Sequence, residues 1–171
     1  SMNEVKYMMV TLRHVLVFCV LLSFSVIADN ATFITIGWIE TVLLLPEGFT
    51  VKAKIDTGAD NSSLDVKKWD SFQRDGMEWV RFIILNNKKD QLILERPLER
   101  FALIKRKKSE PLKRPVVKML LCIGQQQFYA PVNLAKRESF QYRMLIGRSS
   151  LIQRFVVDSS VKLTITPECT L

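Results

Sequence analysis

The chain has a single histidine, His14, and three cysteines, Cys19, Cys122 and Cys169, in 171 residues. A hydrolytic zinc centre takes three protein ligands, commonly from a His-Glu-x-x-His helix or a Cys/His cluster. One histidine near the N-terminus supplies neither, so no metal is expected. No glycine-rich loop followed by Lys and Ser or Thr is present to cradle a phosphate, so no nucleotide cofactor is expected either. Long apolar runs are scarce: Val15 to Ala28 is 14 residues, short of the ~20 that span a bilayer as a helix. Helical periodicity is nearly absent, and there is no internal repeat. Aromatic residues are missing from the most basic stretch, Lys105 to Arg114. That removes the stacking platform that single-stranded nucleic acid needs, so no nucleic-acid partner is expected.

What the N-terminus does contain is a basic head (Lys6, Arg13, His14), the apolar run, and Val26-Ile27-Ala28 before Asp29. This order reads as a secretory signal peptide over residues 1–28, cleaved after Ala28, with Ser1 ahead of Met2 a cloning scar. An uncleaved membrane anchor through residues 15–28 is the competing reading. Membrane contact would pass through this segment only, and residues 29–171 would form one domain, periplasmic or secreted. Losing Lys6, Arg13 and Glu4 (two cations, one anion) lowers the formal charge from +8 to +7. Export permits a disulfide between Cys122 and Cys169; two free thiols are the alternative.

Segments of period two, rich in β-branched and aromatic residues, fill the remainder: 33–39, 41–45, 51–55, 79–85, 92–94, 101–105, 116–123, 128–132 and 161–165. Turn residues separate them at Pro46-Glu47-Gly48, Asp75-Gly76, Asn86-Asn87 and Gly124. Many short strands at close spacing predict an all-β protein, a small closed barrel.

Asp56-Thr57-Gly58-Ala59 follows the alternating run Val51 to Ile55. A strand that delivers an aspartate into a tight turn can present that carboxylate to activate a water. Gly58 lets backbone amides approach it, and the Thr57 hydroxyl can brace the turn. The plainer reading is a turn that ends a strand. Downstream, Met144-Leu145-Ile146-Gly147-Arg148 precedes Ser149-Ser150-Leu151-Ile152, a predicted short helix.

Together these two segments resemble the retropepsins, the single-domain aspartic proteases. Gly37-Trp38-Ile39-Glu40, Lys52 to Ala59, Arg74 to Phe82, Leu145 to Arg148 and Arg154 to Asp158 occur in the order and spacing of one bacterial group. It is the retropepsin-like group often labelled "ATP-dependent zinc protease", whose members are often linked with peptide ligases of the ATP-grasp kind. The likeness runs from Gly37 to Leu163. Two positions depart from the bacterial pattern: Asp60 stands where a basic residue is usual, and Asp65 where a His is usual.

The resemblance implies a retropepsin-type barrel with one short helix after Leu145-Ile146-Gly147-Arg148. It makes Asp56 the catalytic residue, with Thr57 and Gly58 in the catalytic turn. Ala59, Asp60 and Arg148 line or brace the site, Asp60 pairing with Arg148. The hairpin around Lys105, Arg106, Lys107, Lys108 and Lys113 takes the place of the flap, although it is charged where retroviral flaps are Gly-rich. A basic flap would favour acidic peptides. Aspartic proteolysis needs two carboxylates sharing one proton, and the chain carries one Asp-Thr-Gly. The expected enzyme is therefore a two-fold homodimer that acts on peptide or protein substrates, without cofactor. The contrasting expectation is a catalytically idle barrel that binds peptide or a partner.

Overall fold

The computed structural model describes residues 33–106, 109–136 and 141–170. Ten strands are present among them: β1 Ile34–Gly37, β2 Ile39–Leu45, β3 Phe49–Ile55, β4 Ser62–Arg74, β5 Met77–Leu85, β6 Gln91–Arg106, β7 Ser109–Ile123, β8 Gln126–Ala135, β9 Met144–Ile146 and β10 Phe155–Asp158. One short helix, α1, spans Arg148–Leu151. The predicted signal peptide, residues 1–28, lies outside the described residues, as do Lys107 and Lys108.

Strand β3 shows how the sequence drives the architecture. Val51, Ala53 and Ile55 are buried while Thr50, Lys52 and Lys54 are exposed, the alternation of a half-buried strand. It pairs antiparallel with β2 and parallel with β9. Strand β9 pairs with β4, β4 with β8, β8 with β7, and β7 returns to β2. Six strands thus form a closed ring, which leaves its members without bare edges. Leu44, Leu64, Met119, Leu121, Ile123, Leu134, Met144 and Ile146 fill it. This is the closed β-barrel expected from the sequence.

Beyond a register shift between Val66 and Lys68, the rest of β4 leaves the ring and pairs with β5, which pairs with the first half of β6. On the outer face, Arg74 and Arg81 both bond Glu95 across the strands, and these bonds hold the Glu95 carboxyl below its ordinary pKa. The second half of β6 forms a long hairpin with β7, paired out to Arg106 and Ser109. The sequence pattern ends one strand at Lys105 and begins the next at Val116; the structure extends both, β6 to Arg106 and β7 back to Ser109. Prolines at 111 and 115 are tolerated because β7 gains its second partner, β8, only from Val116 onward, so one edge of this segment needs no donors.

Two further expectations are corrected at the ends of the domain. Residues 33–39 do not make one strand: the chain turns at Trp38, β1 pairs with β10 in a separate two-stranded parallel sheet, and β2 enters the barrel. Residues 161–165 are not a strand but part of an extended strap. Trp38 N donates to Val161 O (3.0 Å), Leu163 N to Ile39 O (2.7 Å) and Glu168 N to Gly124 O (2.8 Å). A Cys122–Cys169 disulfide ties down the far end, the Cα atoms 6.1 Å apart.

Candidate active site

Asp56 sits one residue past β3. Its N–H donates to Ile146 O (2.9 Å), and the preceding Ile55 N–H to Trp38 O (2.9 Å), so the neighbouring strand and the 37–40 turn both fix the backbone at the carboxylate. Gly58 N donates to Asp56 Oδ1 at 3.0 Å, and a Cβ on Gly58 would stand 3.2 Å from that oxygen. Ala59 N closes the turn on Asp56 O at 3.2 Å. The bracing contact at Thr57 comes through its carbonyl, which accepts from Arg148 Nη1 at 2.8 Å, in place of the hydroxyl suggested by the sequence.

The turn is clamped by the start of α1. Arg148 N donates to Ala59 O (2.8 Å) and Ser149 N to Asp60 O (3.0 Å), while Arg148 and Asp60 form an ion pair. Both side chains are largely exposed, so the pair alone is worth under ~1 kcal/mol and its value lies in geometry. Beneath it, Ser62 Oγ shares a buried hydrogen bond with Ser150 Oγ (2.7 Å) and accepts from Gly147 N (3.1 Å). A Cβ on Gly147 would stand 2.6 Å from the Asn61 carbonyl carbon. Backbone has nowhere to retreat there, so Gly147→Ala should cost about 2–3 kcal/mol and lower Tm by roughly 5–10 °C. A melt within 2 °C of the parent would show that the crossing is slack.

Thr57, Gly58, Asp60 and Asn61 are exposed, and Asp56 and Ala59 are half-buried. An open, mainly apolar groove of about 670 Å³ runs beside the turn, lined by Thr57, Asp60, Leu151, Ile152 and Phe155. A small pocket of about 50 Å³ is lined by Asn61 together with Arg100, Ala102, Ile104, Val116 and Asn133. Arg100, Ala102 and Ile104 of the hairpin thus share this small pocket with Asn61, two residues past Ala59. Of the flap cations named from the sequence, Lys113 is exposed on β7, Lys105 and Arg106 end β6, and Lys107 and Lys108 lie outside the described residues. Arg100 was missed, although the period of two in Arg100 to Ile104 already places it on one face with Ala102 and Ile104. Asp65 is buried away from this turn and bonds Arg143 Nη1 at 2.7 Å. Among the described residues, no three His, Cys, Asp or Glu side chains gather where a metal could bind.

An aspartate on an open Thr-Gly turn, clamped by an apolar-apolar-Gly-Arg segment in a closed barrel, defines a retropepsin-like fold and turn. The family model described as RimB-like, retropepsin-like aspartic endopeptidase RimB, matches residues 35–168, and the chain belongs to that family. A crystal structure of a Legionella pneumophila protein of unknown function superposes with a TM-score of 0.68 at 27% identity, covering 78% of this chain and 98% of the other. Among curated proteins, a probable alpha-L-glutamate ligase of Desulfotalea psychrophila is 29% identical over 115 residues, which is 66% of this chain and 25% of the relative. One from Shewanella pealeana, with the same name, is 33% identical over 113 residues, 64% and 25% respectively. The chain thus spans about a quarter of the length of these curated relatives.

Proposed function

We propose that the protein is an exported aspartic endopeptidase whose catalytic pair is formed by Asp56 of two identical chains. The observation that carries this reading is the turn itself: a carboxylate held by Gly58 N and by crossed backbone segments, presented at an open surface, with one such carboxylate per chain. In the two-fold pair, one carboxyl holds the shared proton and polarises the scissile carbonyl while the other, ionised, takes a proton from the attacking water. Pairing would also cover the exposed Thr57 and Gly58, removing bulk water from the reacting atoms. The apolar groove beside the turn suits burial in such a contact. Export is supported by the N-terminal sequence pattern and by a disulfide, whose chemistry belongs to oxidising compartments. The idle-barrel reading rests on the same single carboxylate, but a binding module has no need of an aspartate braced this way.

The substrate class we assign is acidic peptide. Arg100 lines the pocket beside Asn61, two residues past Ala59, and the curated relatives are named as glutamate ligases; Lys113, paired with Leu103, lies on the hairpin's other face and adds nothing to this reading. The test compares cleavage of a glutamate-rich peptide with that of a neutral one of equal length. Arg100→Glu should lower kcat/KM on the acidic peptide about tenfold or more, equivalent to ~1.4 kcal/mol, and leave the neutral peptide within about twofold. High salt should narrow the parent's preference. Equal loss on both peptides would make Arg100 a structural residue, and cleavage of neither by the parent, at any pH or protein concentration, would favour the binding barrel.

A further inference from the structure

The run Gly37-Trp38-Ile39-Glu40 contains a charged residue that the mechanism above does not use. Glu40 is fully buried at the start of β2, where an unpaired carboxylate would be costly. Four donor groups converge on it. Gly37 N reaches Oε1 at 2.7 Å and closes the turn on Trp38. Thr164 N lies 3.1 Å from both oxygens, Thr164 Oγ1 is 2.5 Å from Oε1, and Ile165 N is 3.5 Å from Oε2. The strap also grips the turn directly: Val161 O accepts from Trp38 N, in a contact so close that a Cβ on Gly37 would stand 2.5 Å from that oxygen. The other face of the same peptide segment hands over to the active site, because Trp38 O accepts from Ile55 N, the residue before Asp56.

We propose that Glu40 is a positioning residue for Asp56, its buried carboxylate holding the 37–40 turn so that the Trp38 carbonyl fixes the end of β3. The inference rests on Asp56 being the catalytic residue. A carboxylate is needed because every neighbour is a donor and an ionised carboxyl is acceptor-only. A glutamine of the same shape must turn its NH₂ toward one group of donors, which breaks that contact and leaves buried donors unpaired. The resulting shift at Trp38 O moves Ile55 and Asp56 together. Displacements of this kind lower turnover while leaving the peptide-binding surface intact.

The test is Glu40→Gln in the full chain, read by kinetics and by the amide resonance of Gly58, whose N–H bonds the Asp56 carboxylate. We expect kcat to fall about tenfold or more, KM to stay within about twofold, and the Gly58 resonance to move. Val80→Ala, which truncates a buried core side chain on β5, serves as a variant of lowered stability and should change neither kcat nor that resonance below its melting point. If Glu40→Gln does not fold, Thr164→Val removes one donor with little change of shape; it should shift Gly58 in the same sense with a smaller fall in kcat. Parent-like kcat and Gly58 resonance in these variants, with Asp56→Asn inactive, would overturn the role of Glu40 and leave the catalytic reading standing. Activity retained by Asp56→Asn would remove both.

Discussion

Asp56→Asn is expected to abolish peptide cleavage while the protein melts within a few degrees of the parent. Asparagine keeps the shape of aspartate and retains an Oδ1 that can accept from Gly58 N, the 3.0 Å contact that shapes the turn. It cannot carry the shared proton or take one from water. Acid–base roles of this kind are worth 10²–10⁴-fold, so residual activity should sit at or below about a hundredth of the parent. The measurement pairs initial rates on a cleavable peptide with circular dichroism and a thermal melt. A folded Asp56→Asn protein that keeps more than that hundredth would take Asp56 out of the mechanism. An inactive but unfolded one would point to the Gly58 contact, and Asp56→Ala, which deletes the acceptor, then measures how much the turn depends on it.

How much of this was legible beforehand depends on where the determinants lie in the chain. The Asp-Thr-Gly turn is local: Asp56 through Ala59 are consecutive, and the strand before them alternates cleanly. Gly147-Arg148 is also a short run, and its place against the turn follows from the retropepsin likeness. Strand β4 was missed altogether because its pattern breaks in the middle. Ser62, Ser63 and Asp65 are buried where apolar residues would mark a strand, and the register shift after Val66 changes which face the later residues present. Two of these polar groups meet distant partners, Ser150 for Ser62 and Arg143 for Asp65, and no window of sequence contains both members of either pair. The strap fails for the opposite reason: Val161 to Ile165 has the composition of a strand, but its hydrogen bonds run to Trp38, Ile39 and Glu40 without forming a ladder. Glu40 and the strap are about 124 residues apart, which is why a conspicuous short run had no visible purpose.

Activity should depend on protein concentration if each active site takes one Asp56 from each of two chains. Specific activity then rises with concentration to a plateau, because only the pair carries the dyad. Mixing parent protein with an excess of Asp56→Asn protein should suppress cleavage further than dilution does, since mixed pairs hold one carboxyl and one amide. The chain's basic balance adds a second handle. Two copies of a chain whose formal net charge is +8 repel each other. Added salt should therefore move the activity curve to lower protein concentration by screening that repulsion. Salt would act oppositely on attraction of an acidic peptide to Arg100, so the shift must be read with a neutral substrate or directly by sedimentation. A chain that works alone with its own second acid would give specific activity flat on dilution, no suppression by the mutant and no salt-driven association. The second carboxylate would then have to be sought within the chain, where Asp60 is paired with Arg148 and Asp65 with Arg143.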